Sequence, residues 1–288
     1  MLGTGFDRPN IRFDTIELKP AARKKFITNW AKAKQGSGIV YCTTIRRCDE
    51  LAETLREAGI DAEAFYAPLT DKEKARIQDG FLTGSPRVIC ATTAFGMGVD
   101  KPDVRWVVND GPCESLEAFY QEAGRAGRDG KPARSVMLWT GGDFADWRCR
   151  LADNAGNALE DPKDRTKAQQ AAFERLHAMS RYCETDQCLR GVILDYFGET
   201  DHEEYCDNCG NCTYVQDSNP PAKSLSHQPF QRFHRHLASR LPTFCPHSAK
   251  KANHPSSPTT RPDHRRKGRH TRRASWRRTC APIAFARS

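Results

Sequence analysis

The sequence predicts an α/β fold, a parallel sheet with helices on both faces, followed by a small helical cysteine-containing module and a basic, disordered tail. Short β-rich runs alternate with amphipathic helical patterns over residues 24–139. From residue 141 the pattern becomes helical and leads into a cluster of cysteines, and from Ser218 the apolar periodicity disappears. Alternating strands and helices with short connections build a parallel sheet that is covered on both faces.

Five short β-rich segments are the predicted strands of this sheet: residues 38–42, 62–66, 88–91, 104–108 and 135–139. Apolar residues at helical spacing follow the first strand and stop at Gly59, a typical residue for the end of a helix. Thr70 and Glu73 form a capping box, which predicts a helix that continues to about Leu82. In the second part of the chain the clearest helical patterns cover residues 167–181 and 185–197.

Charge divides the chain into two parts. The whole sequence carries a formal net charge of +9, from 45 Lys and Arg residues and 36 acidic residues. Sixteen of the basic residues and a single acid lie in residues 218–288, so this region carries +15 and residues 1–217 carry −6. Since the basic region has no apolar pattern that could form a core, we expect it to be disordered.

The sequence has no run of eighteen apolar residues, and its N-terminus lacks the apolar region of a signal peptide. We therefore expect no membrane span and a cytoplasmic or chromosome-associated protein, nuclear if the source is eukaryotic. In such a compartment the twelve cysteines are expected to be thiols or metal ligands rather than disulfides.

Four cysteines have the spacing of a metal site, Cys-x17-Cys-x2-Cys-x2-Cys, formed by Cys188, Cys206, Cys209 and Cys212. Zinc takes four soft ligands in a tetrahedron, and Cys-x2-Cys lets two thiolates reach one ion from one turn. Cys188 is predicted on a helix and the others in the loop that follows, whereas Cys183 matches no ligand position. An iron–sulfur cluster is an alternative, although the Cys-Pro of the bacterial ferredoxin pattern is absent. Four unligated thiols are the other alternative; we predict structural zinc.

Two arginines three residues apart, Arg125 and Arg128, lie in residues 121–130, QEAGRAGRDG. A helical pattern leads into this stretch, and its glycines let the backbone leave the helix and approach a ligand closely. Each guanidinium offers a fork of donors to phosphate oxygens, which predicts an anionic ligand. The alternative is a surface loop in which the two arginines pair with Glu122 and Asp129.

Upstream of the arginines, residues 91–109 read ATTAFGMGVDKPDVRWVVN, a β-rich run followed by a Gly-x-Gly loop. Together with residues 121–130 this stretch resembles motifs V and VI of superfamily 2 helicases. Its amino-acid sequence resembles the form that these motifs have in the RecQ family. The order CLRGVILDYFGE followed by three cysteines resembles the zinc-binding module that comes after the motor in that family. The resemblance covers residues 6–212 and implies a 3′→5′ ATP-dependent DNA helicase that acts in DNA repair and recombination.

The resemblance also implies roles for particular residues. Arg128 matches the arginine finger that reaches the γ-phosphate of ATP held by the other lobe, with Arg125 and Gln121 beside it. Coupling between nucleotide and DNA is implied for the motif V loop, at Thr93, Gly96, Gly98 and Asp100. Contact with the DNA backbone is implied for the residues after the first strand, Thr43, Thr44 and Arg46. The four cysteines match the four zinc ligands, whereas Lys101 and Arg105 match no motif position and are expected on solvated surface.

The resemblance divides the chain into a linker (residues 1–12), a second RecA-like lobe (13–140), a zinc-binding domain (141–217) and the tail (218–288). Neither G-x-x-x-x-G-K-[ST] nor Asp-Glu-x-His occurs in the sequence, so the groups that hold the β/γ-phosphates and magnesium are missing. We therefore expect an ATPase-inactive fragment that starts at the hinge, binds single-stranded DNA and duplex junctions, and needs a first lobe with ATP and Mg²⁺. The alternatives are a non-catalytic zinc-stabilised DNA-binding module and an RNA helicase lobe of the same superfamily.

Overall fold

The computed structural model describes residues 5–95, 100–154 and 161–217, so the predicted tail lies outside the described residues. Six strands form one sheet in the order β1-β6-β5-β2-β4-β3, and each neighbouring pair is parallel. They are β1 (Ile11–Glu17), β2 (Ser37–Cys42), β3 (Ala62–Phe65), β4 (Val88–Ala91), β5 (Val104–Asp110) and β6 (Ala133–Trp139). None of the helices in the described ranges is long and apolar enough for a membrane-spanning segment.

The helices of the described ranges are α1 (Pro20–Ala33), α2 (Ile45–Glu57), α3 (Asp71–Thr83), α4 (Leu116–Ala123), α5 (Gly141–Asn154), α6 (Pro162–Glu184), α7 (Leu189–Tyr196) and α8 (Gly210–Asp217). Successive residues of β2 point to opposite apolar layers. Val40 packs in the layer that contains α1 and α2, and Ile39 packs in the layer that contains α3 and α4. The predicted fold class, a parallel sheet with helices on both faces followed by a helical four-cysteine module, is confirmed.

Local signals in the sequence set several helix boundaries. Thr70 accepts a hydrogen bond from the Glu73 amide and completes a capping box at the start of α3, as predicted. Helix α3 ends at Gly84, whose φ of 107° belongs to the left-handed region that glycine adopts without strain. Helix α2 ends near Gly59, another predicted boundary.

The first strand and the first helix were not predicted. Strand β1 begins at Ile11, inside the segment that the resemblance assigns to a linker. Charged residues interrupt its apolar residues, and one of them, Asp14, is buried. The Asp14 carboxylate accepts from Arg12 at 3.2 Å and from Arg134 at 2.6 Å. The two arginines neutralise this carboxylate, so its burial is compatible with its charge. Arg134 in β6 is 120 residues away in the sequence, so no local pattern predicts the pairing.

The helical module packs against the sheet layer through α6. The ring of Tyr182 on α6 lies 5.2 Å from that of Phe119 on α4, and both side chains are fully buried. The predicted helix over residues 185–197 is wrong at its start, because α7 begins only at Leu189. Cys188 is therefore not on a helix but at the N-cap of α7, where its sulfur accepts from the amide of Gly191 at 3.4 Å.

Candidate metal centre and arginine loop

The four predicted cysteine ligands come together in the folded chain. The sulfur atoms of Cys188, Cys206, Cys209 and Cys212 all lie within 4.8 Å of one another. Four sulfurs at about 2.3 Å from a tetrahedral zinc ion are roughly 3.8 Å apart, so the cluster needs only small adjustments to hold the ion. Three of the four residues are buried and Cys206 is half-buried. The donor set is a four-cysteine cluster consistent with structural Zn²⁺.

The four cysteines of the cluster differ in their tendency to ionise: the pKa of Cys209 is lowered, whereas those of Cys188, Cys206 and Cys212 are raised. The neighbouring thiols of Cys188 and Cys206, whose sulfurs lie within 4.8 Å, hold the pKa of Cys209 well below its usual range. The amide of Cys212 also donates to the Cys209 sulfur, at 3.4 Å. Thiolates are the metal-binding form of cysteine. Cys183 lies outside the cluster, and burial raises the pKa of its thiol, as expected for a packing residue.

The two arginines of residues 121–130 point in different directions. Arg128 Nη1 lies 2.7 Å from Asp100 Oδ1, and the two side chains are 37% and 80% exposed. This ion pair joins the predicted motif V aspartate to the predicted arginine finger. Arg125 instead turns inward, where it donates to the hydroxyl of Tyr41. The two guanidiniums therefore have separate surroundings, one open to solvent and one facing the interior.

The surface-loop alternative, in which the arginines pair with Glu122 and Asp129, is wrong for Asp129. This carboxylate accepts from Arg105 at 2.6 Å, and Arg105 also donates to the carbonyl of Pro132 at 3.0 Å. The expectation of solvated surface is wrong for Lys101, whereas the Arg105 side chain remains 23% exposed. Lys101 is 6% exposed and donates to the carbonyl of Leu82 at 3.2 Å. Leu82 lies in the last turn of α3, where the carbonyls have no partner within the helix.

Glu122 is the centre of a buried polar cluster behind the arginines. Its Oε2 accepts from Asn109 Nδ2 at 2.5 Å and from the Cys113 thiol at 3.1 Å. Burial raises the pKa of Glu122 to about 7, although Arg125 nearby acts in the opposite direction. Burial likewise raises the pKa of Tyr41. The helical spacing of Glu122 three residues after the apolar Phe119 was the signal in the sequence that could have placed it on the buried face.

The predicted site residues lie at two opposite ends of the parallel strands, the carboxyl ends and the amino ends. Thr43 and Thr44 follow the carboxyl end of β2, and Thr93 follows that of β4. The loop with Arg128 lies at the amino ends of the strands, since the amide of Gly127 donates to Val104, the first residue of β5, at 2.8 Å. Parallel strands place these two ends on opposite edges, so the structure does not bring all the predicted residues into one site.

The side chains at the carboxyl edge differ in their availability. The hydroxyl of Thr44 accepts from the Arg47 amide at 3.2 Å and caps α2. Arg46 donates to Glu50 at 2.7 Å, but its side chain is 89% exposed. Thr43 and Thr93 are exposed, as is Gln121 on α4, whereas Gly96 and Gly98 lie outside the described residues.

Two family descriptions match this chain, and their ranges follow one another. The helicase conserved C-terminal domain matches residues 19–130, and the RecQ zinc-binding domain matches residues 142–213. The parallel sheet with its arginine loop and the four-cysteine module thus define a helicase C-terminal domain followed by a zinc-binding domain.

Similar proteins include the ATP-dependent DNA helicase RecQ of Haemophilus influenzae, 37% identical over 219 residues, which is 76% of this chain and 33% of that protein. The RecQ of Bacillus subtilis is 34% identical over 73% of this chain and 34% of that protein. The RecQ-like DNA helicase BLM of Xenopus laevis is 36% identical over 71% of this chain and 15% of that protein. The chain carries a RecQ-family helicase C-terminal domain followed by a RecQ zinc-binding domain, and it spans about a third or less of the length of these relatives.

Proposed function

We propose that this chain is the second RecA-like lobe and zinc module of a 3′→5′ ATP-dependent DNA helicase that acts in DNA repair and recombination. The observation that carries the proposal is the exposed ion pair between Arg128 and Asp100, which joins two helicase motifs. Residues 13–140 are the proposed lobe, residues 141–217 the zinc-binding domain, residues 1–12 the linker and residues 218–288 a basic tail. The relatives from Haemophilus influenzae and Bacillus subtilis are ATP-dependent DNA helicases, which supports the reaction.

Arg128 acts on the γ-phosphate of ATP in this proposal. An exposed ion pair contributes only about 0–1 kcal/mol, so a phosphate with its higher charge can displace Asp100 from the guanidinium. The fork of the guanidinium then stabilises the charge that develops on the transferred phosphoryl group. Arg125 lies behind it, and its contact with Tyr41 supports a role in holding the backbone rather than in reaching the nucleotide. Gln121, exposed on α4, orients groups at the same site.

DNA binds along the carboxyl edge of the sheet. Thr43 and Thr93 present exposed hydroxyls, and Arg46 presents a guanidinium whose partner is a surface carboxylate. These groups suit phosphate contacts, which position a strand without reading its sequence. Thr44 supports this edge by capping α2, and the loop with Gly96, Gly98 and Asp100 couples it to the nucleotide.

Zinc has a structural role in this proposal. All four ligands are cysteines, which leaves no open position for a substrate. The ion joins the N-cap of α7 to the start of α8 and so supplies folding free energy to the module.

Steady-state ATP hydrolysis with and without single-stranded DNA tests the proposed function. Because the sequence contains no phosphate-binding G-x-x-x-x-G-K-[ST] loop, we expect no hydrolysis by the chain alone. Fusion of a first RecA-like lobe at Met1 should give DNA-stimulated hydrolysis, since a linker raises the effective concentration of the lobe to roughly millimolar. Robust hydrolysis by the unfused chain contradicts the proposal, and so does a folded fusion that binds DNA but does not hydrolyse ATP. Stronger stimulation by RNA than by DNA would favour an RNA helicase.

Removal of residues 218–288 tests where the isolated chain binds DNA. The region carries +15, so we expect it to dominate binding that ignores sequence and falls steeply with salt, because neutralised phosphates release counterions. A chain truncated after Asp217 should lose most of its affinity for single-stranded DNA at the same salt concentration. Equal affinity of the truncated chain would show that residues 1–217 carry the binding.

A further inference from the structure

We propose that residues 6–11, the N-terminal strap, position the arginine loop, residues 124–130, through the side chains of Arg8 and Asn10. The inference rests on the proposed role of Arg128 at the γ-phosphate, and it adds two positioning residues to that role. Neither residue belongs to the motifs that identify the loop, and both lie more than 110 residues before it.

Arg8 binds the backbone at the end of helix α4. Its Nη1 donates to the carbonyl of Gly124 at 3.1 Å, and its Nη2 donates to those of Ala126 and Gly127 at 3.0 and 3.3 Å. The last carbonyls of a helix have no partners within the helix, and a cation there also opposes the negative end of the helix dipole. One guanidinium therefore fixes the path of the three residues that lead to Arg128.

Asn10 holds the same loop from its other side. Its Nδ2 donates to the carbonyl of Gly127 at 2.7 Å and to that of Lys131 at 3.0 Å. Gly127 has a φ of 58°, and a Cβ atom added there would lie 2.5 Å from Asn10 Nδ2. The glycine is therefore required both for its backbone conformation and for the approach of this amide. Together Arg8 and Asn10 fix the backbone before and after Arg128.

The zinc module holds the strap in turn. Arg190, at the start of α7, is 7% exposed and donates to Asp7 at 2.7 Å and to the carbonyl of Ile11 at 2.7 Å. The same guanidinium lies near the side chain of Cys206, one of the four cluster cysteines, and Arg190 follows the cluster residue Cys188 by two positions. A continuous path of contacts therefore leads from a zinc ligand through Arg190 to the strap and from the strap to the arginine loop.

Aromatic contacts fix the beginning of the strap. The ring of Phe6 stacks on that of Phe197 with centroids 4.4 Å apart and planes 8° apart. The hydroxyl of Tyr120 on α4 donates to the Phe6 carbonyl at 2.7 Å, and Asn208 donates to that of Pro9 at 2.9 Å. The strap thus lies between the helix that carries the arginine loop and the module that carries the cysteines. A loop fixed in this way places the Arg128 guanidinium without an ordering cost during the reaction.

Hydrogen exchange of the zinc-loaded full chain tests the strap without any need for catalysis. The loop amides of Gly127, Asp129 and Gly130 are all hydrogen-bonded and report local opening. In Arg8→Ala they should exchange about tenfold or more faster, since three charge-assisted hydrogen bonds are lost. Removal of zinc with a chelator should accelerate exchange in the strap and in the same loop amides.

Arg87→Ala is the matched control. Arg87 donates to the carbonyls of Ala31 and Lys34 at 2.6 and 2.9 Å, so it binds the end of α1 as Arg8 binds the end of α4. Its loss should accelerate exchange at the end of α1 and leave the arginine loop unchanged. If Arg8→Ala does not fold, Asn10→Ala removes two hydrogen bonds and replaces it. If hydrogen exchange of the arginine-loop amides stays within twofold of wild type in a folded Arg8→Ala or Asn10→Ala variant, the strap does not position the loop. If it stays within twofold after zinc removal, the zinc module does not hold the strap.

A fusion with a first RecA-like lobe gives the second readout. If the wild-type fusion hydrolyses ATP, Arg8→Ala should lower kcat about tenfold and leave the KM for ATP unchanged, because ordering of Arg128 matters in the transition state. Arg8→Lys should restore only part of kcat, since one ammonium cannot reach three carbonyls. An unchanged kcat overturns the strap proposal. A wild-type fusion without activity instead overturns the proposed function, and the exchange experiment still decides on the strap.

Discussion

The metal centre and the arginine loop are both built from a few polar side chains, but they are assembled over different distances along the chain. The four cysteines lie within residues 188–212 and can share one ion after a short stretch of chain has folded. The arginine loop depends on Asp100, 28 residues away from Arg128, and on Arg8, 116 residues away from Gly124. The metal centre is therefore a local structure, whereas the arginine loop requires the complete sheet and the zinc module.

Loss of a zinc ligand is the prediction with the largest expected effect, and it tests the local character of the metal centre. Purified wild-type chain should contain about one zinc per chain by metal analysis, and Cys209→Ser should contain almost none. Structural zinc contributes an apparent binding free energy of about 10–16 kcal/mol in small modules, so the substitution should unfold residues 141–217. The parallel sheet should keep its secondary structure, which circular dichroism can measure.

Cys183→Ser is the matched control for the zinc prediction. Cys183 is buried in α6 of the module but does not belong to the cluster, so its variant should keep one zinc per chain. Iron with visible absorbance in the wild-type protein would contradict the zinc assignment. Collapse of the sheet together with the module in Cys209→Ser would show that the two regions are not separable.

Substitution of Arg128 is expected to have the next largest effect. It tests whether the arginine loop contributes to ATP hydrolysis rather than only to the fold. In an active fusion with a first lobe, Arg128→Ala should lower turnover by about 10³–10⁵ and change nucleotide affinity little. Arg128→Lys should not restore turnover, because an ammonium cannot reproduce the fork of the guanidinium. Turnover is measured by steady-state ATP hydrolysis at saturating DNA.

Arg76→Ala controls for the loss of a surface arginine in that experiment. Arg76 is exposed and pairs with Glu63 at 2.6 Å, far along the sheet edge from the arginine loop. Its variant should hydrolyse ATP at the wild-type rate. Normal turnover of Arg128→Ala would remove the role proposed for that arginine, while a loss in Arg76→Ala would point to a general effect of charge.

The difference between the two regions also explains which features could be predicted from the sequence. The cysteine spacing predicts the metal centre because sequence neighbours become spatial neighbours, and only the helical placement of Cys188 was wrong. Residues 121–130 likewise predict an exposed arginine. The inward turn of Arg125 could not be predicted, because its contact Tyr41 lies on β2 and comes near it only in the folded chain.

The fold shows the same limit. The apolar strands in the middle of the sheet were predicted since burial on both faces gives them continuous apolar runs. Strand β1 lies at the edge of the sheet and contains the buried Asp14, so charged residues interrupt its apolar ones. Its place in the sheet depends on the parallel pairing with β6, where Arg134 binds Asp14, and no local pattern reveals that partner. The strap residues Arg8 and Asn10 were missed for the same reason, because their partners are backbone carbonyls.

The smallest expected effect concerns Glu122, and it tests whether the interior behind the arginine loop is as closed as its contacts indicate. Burial raises the pKa of Glu122 from 4.5 to about 7, with Arg125, Cys113 and Glu114 as the nearby ionisable groups. A carboxyl whose folded-state pKa is raised contributes stability below its unfolded pKa, and this contribution is lost as the pH rises through about 7. Between pH 4.5 and 8 the loss amounts to about 3 kcal/mol.

Glu122→Gln cannot ionise and should therefore match wild type near pH 5 and become more stable than wild type at pH 8, as measured by urea unfolding. Glu117→Gln on the same helix is the control, since the pKa of Glu117 is lowered and this group is ionised at both pH values. An equal difference between Glu122→Gln and wild type at pH 5 and pH 8 would mean that water reaches Glu122, and the arginine loop would then rest on a solvated rather than a closed support.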